Sequence, residues 1–315
     1  MTAQTSKVQF TAPRKSVLKW LLAGDPSIRY QVMRDLTGEP AKVVAAERRR
    51  IATEGWGADI LKSQSPEGNW GGEPDRRDWM RTIYTLTLLK DFGIDPADRE
   101  ARRAVGLVRK NITWWQLDGR PFFDGETEPC LNGRILGIGA YFGHPSERLL
   151  ERLLGEQLED GGWNCEAPKS RRSSFHTTIC VLEGLLDYER ATAANPAVKR
   201  ARRRAQEYLL ERRLFRSLST GEVIDRKWLK FSYPTIWHYD ILRGLEYMRD
   251  AGVKPDERVV EAVELMAKKQ HQNGRWPLQN PHPESPLAME GRSGTASRWN
   301  TLRALRVLEW YSSRD

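Results

Sequence analysis

Cysteine is scarce in this sequence of 315 residues. The three that occur, Cys130, Cys165 and Cys180, make no close CxxC pair and no even-numbered framework, so they read as reduced thiols. No apolar run reaches the length needed to cross a bilayer. The stretch from Met1 to Gln9 is polar and lacks the core of a secretion signal, which points to a soluble protein kept in the cytoplasm. No Gly-x-Ser-x-Gly elbow of the α/β-hydrolase type occurs. No two aspartates are adjacent, and no segment reads convincingly as a strand.

What is present is a large apolar share, a charge imbalance and regular punctuation. A chain with 39% hydrophobic residues can bury a large core, and we expect a tail over residues 1–15 and a single domain over 16–315. The net charge of +9 favours an anionic partner, such as a phosphate group or an acidic membrane surface touched peripherally. Glu47-Arg48-Arg49-Arg50 and Arg202-Arg203-Arg204 lie in helical segments with interspersed acids and read as solvated faces. They do not alternate with stacking aromatics, so nucleic acid is not an expected partner.

The punctuation is a repeat. Gln64-Ser65-Pro66-Glu67-Gly68-Asn69-Trp70, Gln157-Leu158-Glu159-Asp160-Gly161-Gly162-Trp163 and Gln270-His271-Gln272-Asn273-Gly274-Arg275-Trp276 share one Gln-to-Trp offset. Trp115 to Arg120 is a degenerate copy, and Ser219 to Val223 holds the equivalent place in another. Each turn joins two helical segments. The second helices line up as 28–36, 79–92, 131–142, 175–188, 235–249 and 297–310, several with a small residue in the middle (Gly137, Gly184, Gly244, Ala304). Their charged, amphipathic partners fall at 41–53, 98–110, 146–156, 196–212 and 257–269.

These turns resemble the repeats of squalene cyclases and protein prenyltransferases. The segment Gly161-Gly162-Trp163, Lys169-Ser170-Arg171 and His176-Thr177 is similar to the Gly-Gly … Lys-Ser-Arg-Asp-Phe-Tyr-His-Thr stretch of prenyltransferase β subunits. The resemblance implies an all-α fold, an (α/α)6 toroid with a central cavity. It also implies a zinc site, since that family supplies Asp-x-Cys at one inner helix and His at the next. Glu128-Pro129-Cys130 and His176 hold those places here, with Glu for Asp. Carboxylate, thiolate and imidazole are a sensible catalytic zinc set. Asp124 or His238 could supply the third ligand instead, whereas Cys165 lies in a loop and Cys180 one turn deeper. Taken singly, Cys130 reads as an ordinary buried thiol and His176 as a helix-start hydrogen-bonding residue.

In such a ring, residues at the starts of the second helices converge on one mouth, where free N–H groups suit an anion. This register selects Asp78, His238 and Asp240 as candidate catalytic groups. Trp79, Arg120, Arg134, Tyr233, Trp237, Arg298 and Trp299 become candidate substrate-binding groups, the arginines for a diphosphate and the aromatics for a carbocation. Phe231-Ser232-Tyr233 … His238-Tyr239 resembles the aromatic-rich region of triterpene cyclases. The Asp-x-Asp-Asp acid of squalene cyclases and the Asp-Asp-x-x-Asp magnesium box of class I terpene synthases are both missing. A lone carboxyl with a pKa raised by burial could take the acid's place.

The leading expectation is therefore an enzyme of the prenyltransferase/terpenoid-cyclase class acting on a small apolar or isoprenoid diphosphate substrate in an aromatic-lined cavity, with zinc as cofactor. One alternative is a non-catalytic toroid that binds a lipid or a protein. Another is a carbohydrate-active toroid using Asp75 and Asp78.

Overall fold

Small polar residues mark where this chain enters its helices. Asp25, Asp98, Ser146, Ser174, Asn195, Asp240 and Ser297 each turn a side-chain oxygen onto a free N–H of the first helical turn. The computed structural model describes residues 12–70 and 78–313, and most of them are helical. In chain order the helices are α1 (Lys15–Leu22), α2 (Pro26–Asp35), α3 (Ala41–Arg50), α4 (Gly55–Lys62), α5 (Asp78–Phe92), α6 (Arg99–Asn111) and α7 (Pro129–Tyr141). They continue as α8 (Glu147–Gly155), α9 (Phe175–Ala191), α10 (Pro196–Glu211), α11 (Ile241–Asp250), α12 (Val260–Ala267) and α13 (Arg298–Ser312).

Two short antiparallel ribbons, which the sequence pattern does not anticipate, join the helices. One pairs β1 (Thr113–Trp114) with β2 (Arg120–Pro121), and the other pairs β3 (Trp276–Pro277) with β4 (Ala296–Ser297). Neither is long enough to read as a strand by alternation.

The partner helices are amphipathic. In α6, Ala101, Ala104, Val105 and Val108 are buried, an i, i+3, i+4, i+7 stripe on an otherwise charged helix. The helices they cover, α2, α5, α7, α9, α11 and α13, pack on one another in succession. Gln31 of α2 donates to the Asp91 carbonyl of α5 (2.9 Å), Glu183 of α9 meets Arg243 of α11, and Glu246 of α11 meets Arg303 of α13. The last helix then returns to the first, where Arg306 of α13 donates to Gln31 of α2 at 2.7 Å. Helices α7 and α9 approach so closely that a Cβ on Gly184 would lie 1.9 Å from the Gly133 carbonyl oxygen.

One expected helix is shorter than its apolar pattern suggests. Residues 235–249 read as a single helix, yet α11 begins only at Ile241, capped by Asp240. Pro234 lacks an N–H, and Ile236 sits at φ 52°, which ends helical geometry before Asp240 can restart it. Tyr233, Trp237 and His238 therefore belong to a loop.

The repeated turns are built alike. Gln64 donates to the Gly68 carbonyl (3.0 Å), Gln157 to that of Gly161 (2.6 Å) and Gln270 to that of Gly274 (3.1 Å). The first two also reach across to the carbonyls of Ala104 and Ala201 in the next partner helix. Trp70, Trp163 and Trp276 are buried, and each indole N–H donates to the carbonyl ten residues earlier, Ile60, Leu153 or Met266. Each turn's glycine adopts a positive φ, 100° at Gly68 and Gly161 and 82° at Gly274, which only glycine adopts without strain.

Candidate functional site

The successive helices enclose a cavity of about 560 Å³. Its wall draws on α2, α3, α5, α7, α9, α11 and α13 and on the loop from Tyr233 to Ile236. Five tyrosines and Trp299 contribute, alongside nine arginine or lysine side chains and six carboxylates. The expected aromatic residues are thus present, joined by a density of charge that the sequence reading did not anticipate. Charged residues spaced one helical turn apart (Arg243 and Glu246 on α11, Arg303 and Arg306 on α13) point the same way off helices whose other faces are core.

The six carboxylates are all engaged by cations. Glu183 takes both arms of Arg243 (2.7 and 2.6 Å), Glu246 binds Arg303 (2.5 Å), and Asp35 binds Arg34 and Arg306. Asp187 and Asp91 share Lys90 (2.8 and 3.4 Å), and Asp250 meets Arg249 (2.9 Å). The cations outnumber them, so some positive charge stays uncompensated. Arg48 settles on the Gly93 carbonyl and the Tyr141 hydroxyl.

Arg134 settles on almost nothing. Its side chain is buried at 6% exposure, and its one hydrogen bond is a long contact of 3.5 Å to the Thr87 hydroxyl. Its Nε and Nη2 have no hydrogen-bond partner among the described residues, and it makes no ion pair there. An unpaired buried guanidinium is costly, because its lost hydration is not replaced. Nearby donors are idle too: among the described residues the buried Tyr233 hydroxyl and Trp299 indole N–H have no partner, the two rings stacked at 4.3 Å. Three groups that lack acceptors thus face one enclosed space.

Two carboxyls of this wall are held toward the protonated form. Burial raises the pKa of Asp91 above its usual value against the opposing pull of Lys90, and burial likewise raises that of Asp250. Asp91 lines the cavity, and 37% of its side chain is accessible.

A second cluster lies at the start of α7. Glu128, Cys130 and Cys165 bring a carboxylate oxygen and two sulfurs within 4.8 Å of one another. The Cys130 thiol leans on Glu128 (3.5 Å), and Cys165 accepts from the Thr177 hydroxyl (3.4 Å). The neighbouring Cys165 thiol and burial push the Cys130 pKa up, while the hydrogen bond from Cys130 lowers that of Cys165, so Cys165 is the readier thiolate. This donor set suits a thiophilic divalent ion.

His176 stands apart from that set. Its Nδ1 accepts the Tyr239 N–H at 2.8 Å, and burial lowers its pKa to about 4. A neutral ring that accepts at Nδ1 carries its proton on Nε2 and has no lone pair left for a metal. Cys165, passed over because it lies in a loop, is the residue brought to Glu128 and Cys130, since the turn after Trp163 folds the chain back onto α7 and α9.

No family model matches the chain, and no curated protein does. Among solved structures it is similar to the type II terpene cyclase MstE from Scytonema. A ligand-free variant of that enzyme aligns with a TM-score of 0.45 at 17% identity over 92% of this chain and 88% of that one. A variant in complex with the substrate geranylgeranyl dihydroxybenzoate gives 0.44 at 17% identity with the same coverage. At these scores the likeness bears on neither substrate nor mechanism.

Of the residues selected from the sequence, Arg134, Tyr233 and Trp299 meet at the cavity. The other candidates whose side chains are described lie elsewhere. Asp240 is 1% exposed and fully used, bracing Ser232 and capping α11 through the Arg243 N–H. Arg298 donates to the Trp20 carbonyl and covers its ring, and Trp79 packs on Trp114. Arg120 sits half-buried in β2. Trp237 is 38% exposed and stacks on His238. Asp75 lies outside the described residues, as does the side chain of Asp78, the residue that opens α5. Reading only helix starts overlooked Arg306, Arg303, Lys90 and Asp91. Their signal was charge spaced by a helical turn inside segments that are otherwise apolar.

Proposed function

We propose that this chain is a terpenoid-cyclase- or prenyltransferase-like enzyme whose successive helices close into an (α/α)6 toroid. Its central cavity takes an isoprenoid diphosphate. The observation that carries the reading is Arg134, a buried guanidinium with two unpaired N–H groups in a wall with surplus positive charge. A diphosphate oxygen pair would satisfy Nε and Nη2 together, the bidentate geometry arginine suits best. The Tyr233 hydroxyl and the Trp299 N–H would supply further donors. Asp91, kept toward its protonated form by burial, is the acid this site would use in place of the missing Asp-x-Asp-Asp.

Zinc belongs to the same reading. Glu128, Cys130 and Cys165 would hold it, and when bound it supplies Lewis-acid activation of a nucleophile.

Thermal denaturation with inorganic pyrophosphate and with farnesyl diphosphate tests the proposal. Both should raise the midpoint, farnesyl diphosphate more, because a ligand that binds only the native state stabilises it. No shift with either would overturn the reading. Equal shifts would remove its isoprenoid half. Intact farnesyl diphosphate recovered after long incubation would favour a binding toroid over an enzyme.

A further inference from the structure

We propose that His238, His282 and Glu284 form a binding site for a first-row divalent cation, distinct from both the cavity and the thiol cluster. One ligand atom from each residue lies within 4.8 Å of the others. None of the three lines the cavity, and none is shared with Glu128, Cys130 and Cys165.

The ligand is called for by what the two imidazoles lack. His282 is only 9% exposed, and its Nε2 is buried without a hydrogen-bond partner among the described residues. The His238 Nε2 is likewise buried without a partner among those residues. Two such atoms in one place are uncommon, since buried polar groups nearly always find partners. A neutral imidazole keeps a lone pair on its unprotonated nitrogen. Two imidazole nitrogens and one carboxylate oxygen are a familiar donor set for zinc and its neighbours in the first row. Glu284 is exposed, so an ion could enter from its side.

The rings stack at 3.8 Å, with planes only 9° apart. A metal lies close to the plane of each imidazole that binds it. One ring must therefore turn about its Cβ–Cγ bond for both to share an ion, and the stack opens. Trp237 stacks on His238 at 3.9 Å, so its emission should report the change. Occupancy would tie the loop that carries Tyr233 into the cavity to the loop between β3 and β4, which carries His282 and Glu284. The site would act as a clasp for one side of the cavity.

The test uses the full chain with Cys130→Ser and Cys165→Ser, which removes the thiol cluster. Titration with zinc chloride, followed by calorimetry and tryptophan emission, should give one equivalent bound and an emission change. His282→Ala should weaken binding by at least about tenfold and abolish the emission change. Glu284→Gln, a near-isosteric change at an exposed position, should weaken binding without altering the metal-free melting temperature. Zinc binding unchanged in Glu284→Gln and His282→Ala would overturn the proposal, as would no binding to the folded thiol-free chain.

Discussion

The repeated turns and the cavity wall are both made of buried polar groups, and they treat them in opposite ways. In the turns the indole N–H of Trp70, Trp163 and Trp276 finds a carbonyl at 2.7–2.9 Å, ten residues back each time. In the wall the Nε and Nη2 of Arg134 and the indole N–H of Trp299 find no partner among the described residues. A satisfied buried donor costs little and fixes the fold, while an unsatisfied one costs stability that only a function justifies. The difference separates the part of this molecule that holds it together from the part that waits for something.

The largest expected effect is on the holding side. Trp163 is fully buried and bonded, so Trp163→Ala should destabilise the protein by about 3–5 kcal/mol in urea denaturation. A loss well under that would mean the turns do not brace the helices. On the waiting side the sign reverses. Arg134→Met replaces an unpaired buried charge with an apolar chain of similar volume, and should stabilise the ligand-free protein by about 1–3 kcal/mol.

The smallest effect concerns Asp91. Its folded pKa is raised above the usual 3.8, so the native state holds that proton more tightly than the unfolded chain does. Its contribution is therefore present at low pH and is lost as pH rises through the folded value. Asp91→Asn should flatten part of the decline in urea midpoint as pH rises above the usual carboxylate range. An unchanged pH profile would show that Lys90 already neutralises the carboxylate.

The same contrast explains what could be read from the amino acids. A turn is local: the Gln, Gly and Trp that make it lie within seven residues, and their spacing shows three times. The order of helices followed from it, with α9 and α13 close to their expected spans. The wall is assembled from seven helices and a loop, and no single segment displays it. Arg134, Tyr233 and Trp299 were selected because they fall near helix starts, whereas Arg303 and Arg306, deeper in α13, looked like ordinary helix charge. Cys165 escaped for a related reason, because only the folded turn brings it to Cys130. His176 fell in the expected register, but its backbone partner at Tyr239 comes from a loop that the apolar pattern mistook for helix.

The central claim is that Arg134 is left unpaired in order to receive an anion. Melting of the wild type and of Arg134→Met, each with and without inorganic pyrophosphate, tests it most directly. The account predicts that the variant melts higher than the wild type without ligand and gains nothing from pyrophosphate. A variant that melts lower, or that is still protected by pyrophosphate as well as the wild type, would contradict it.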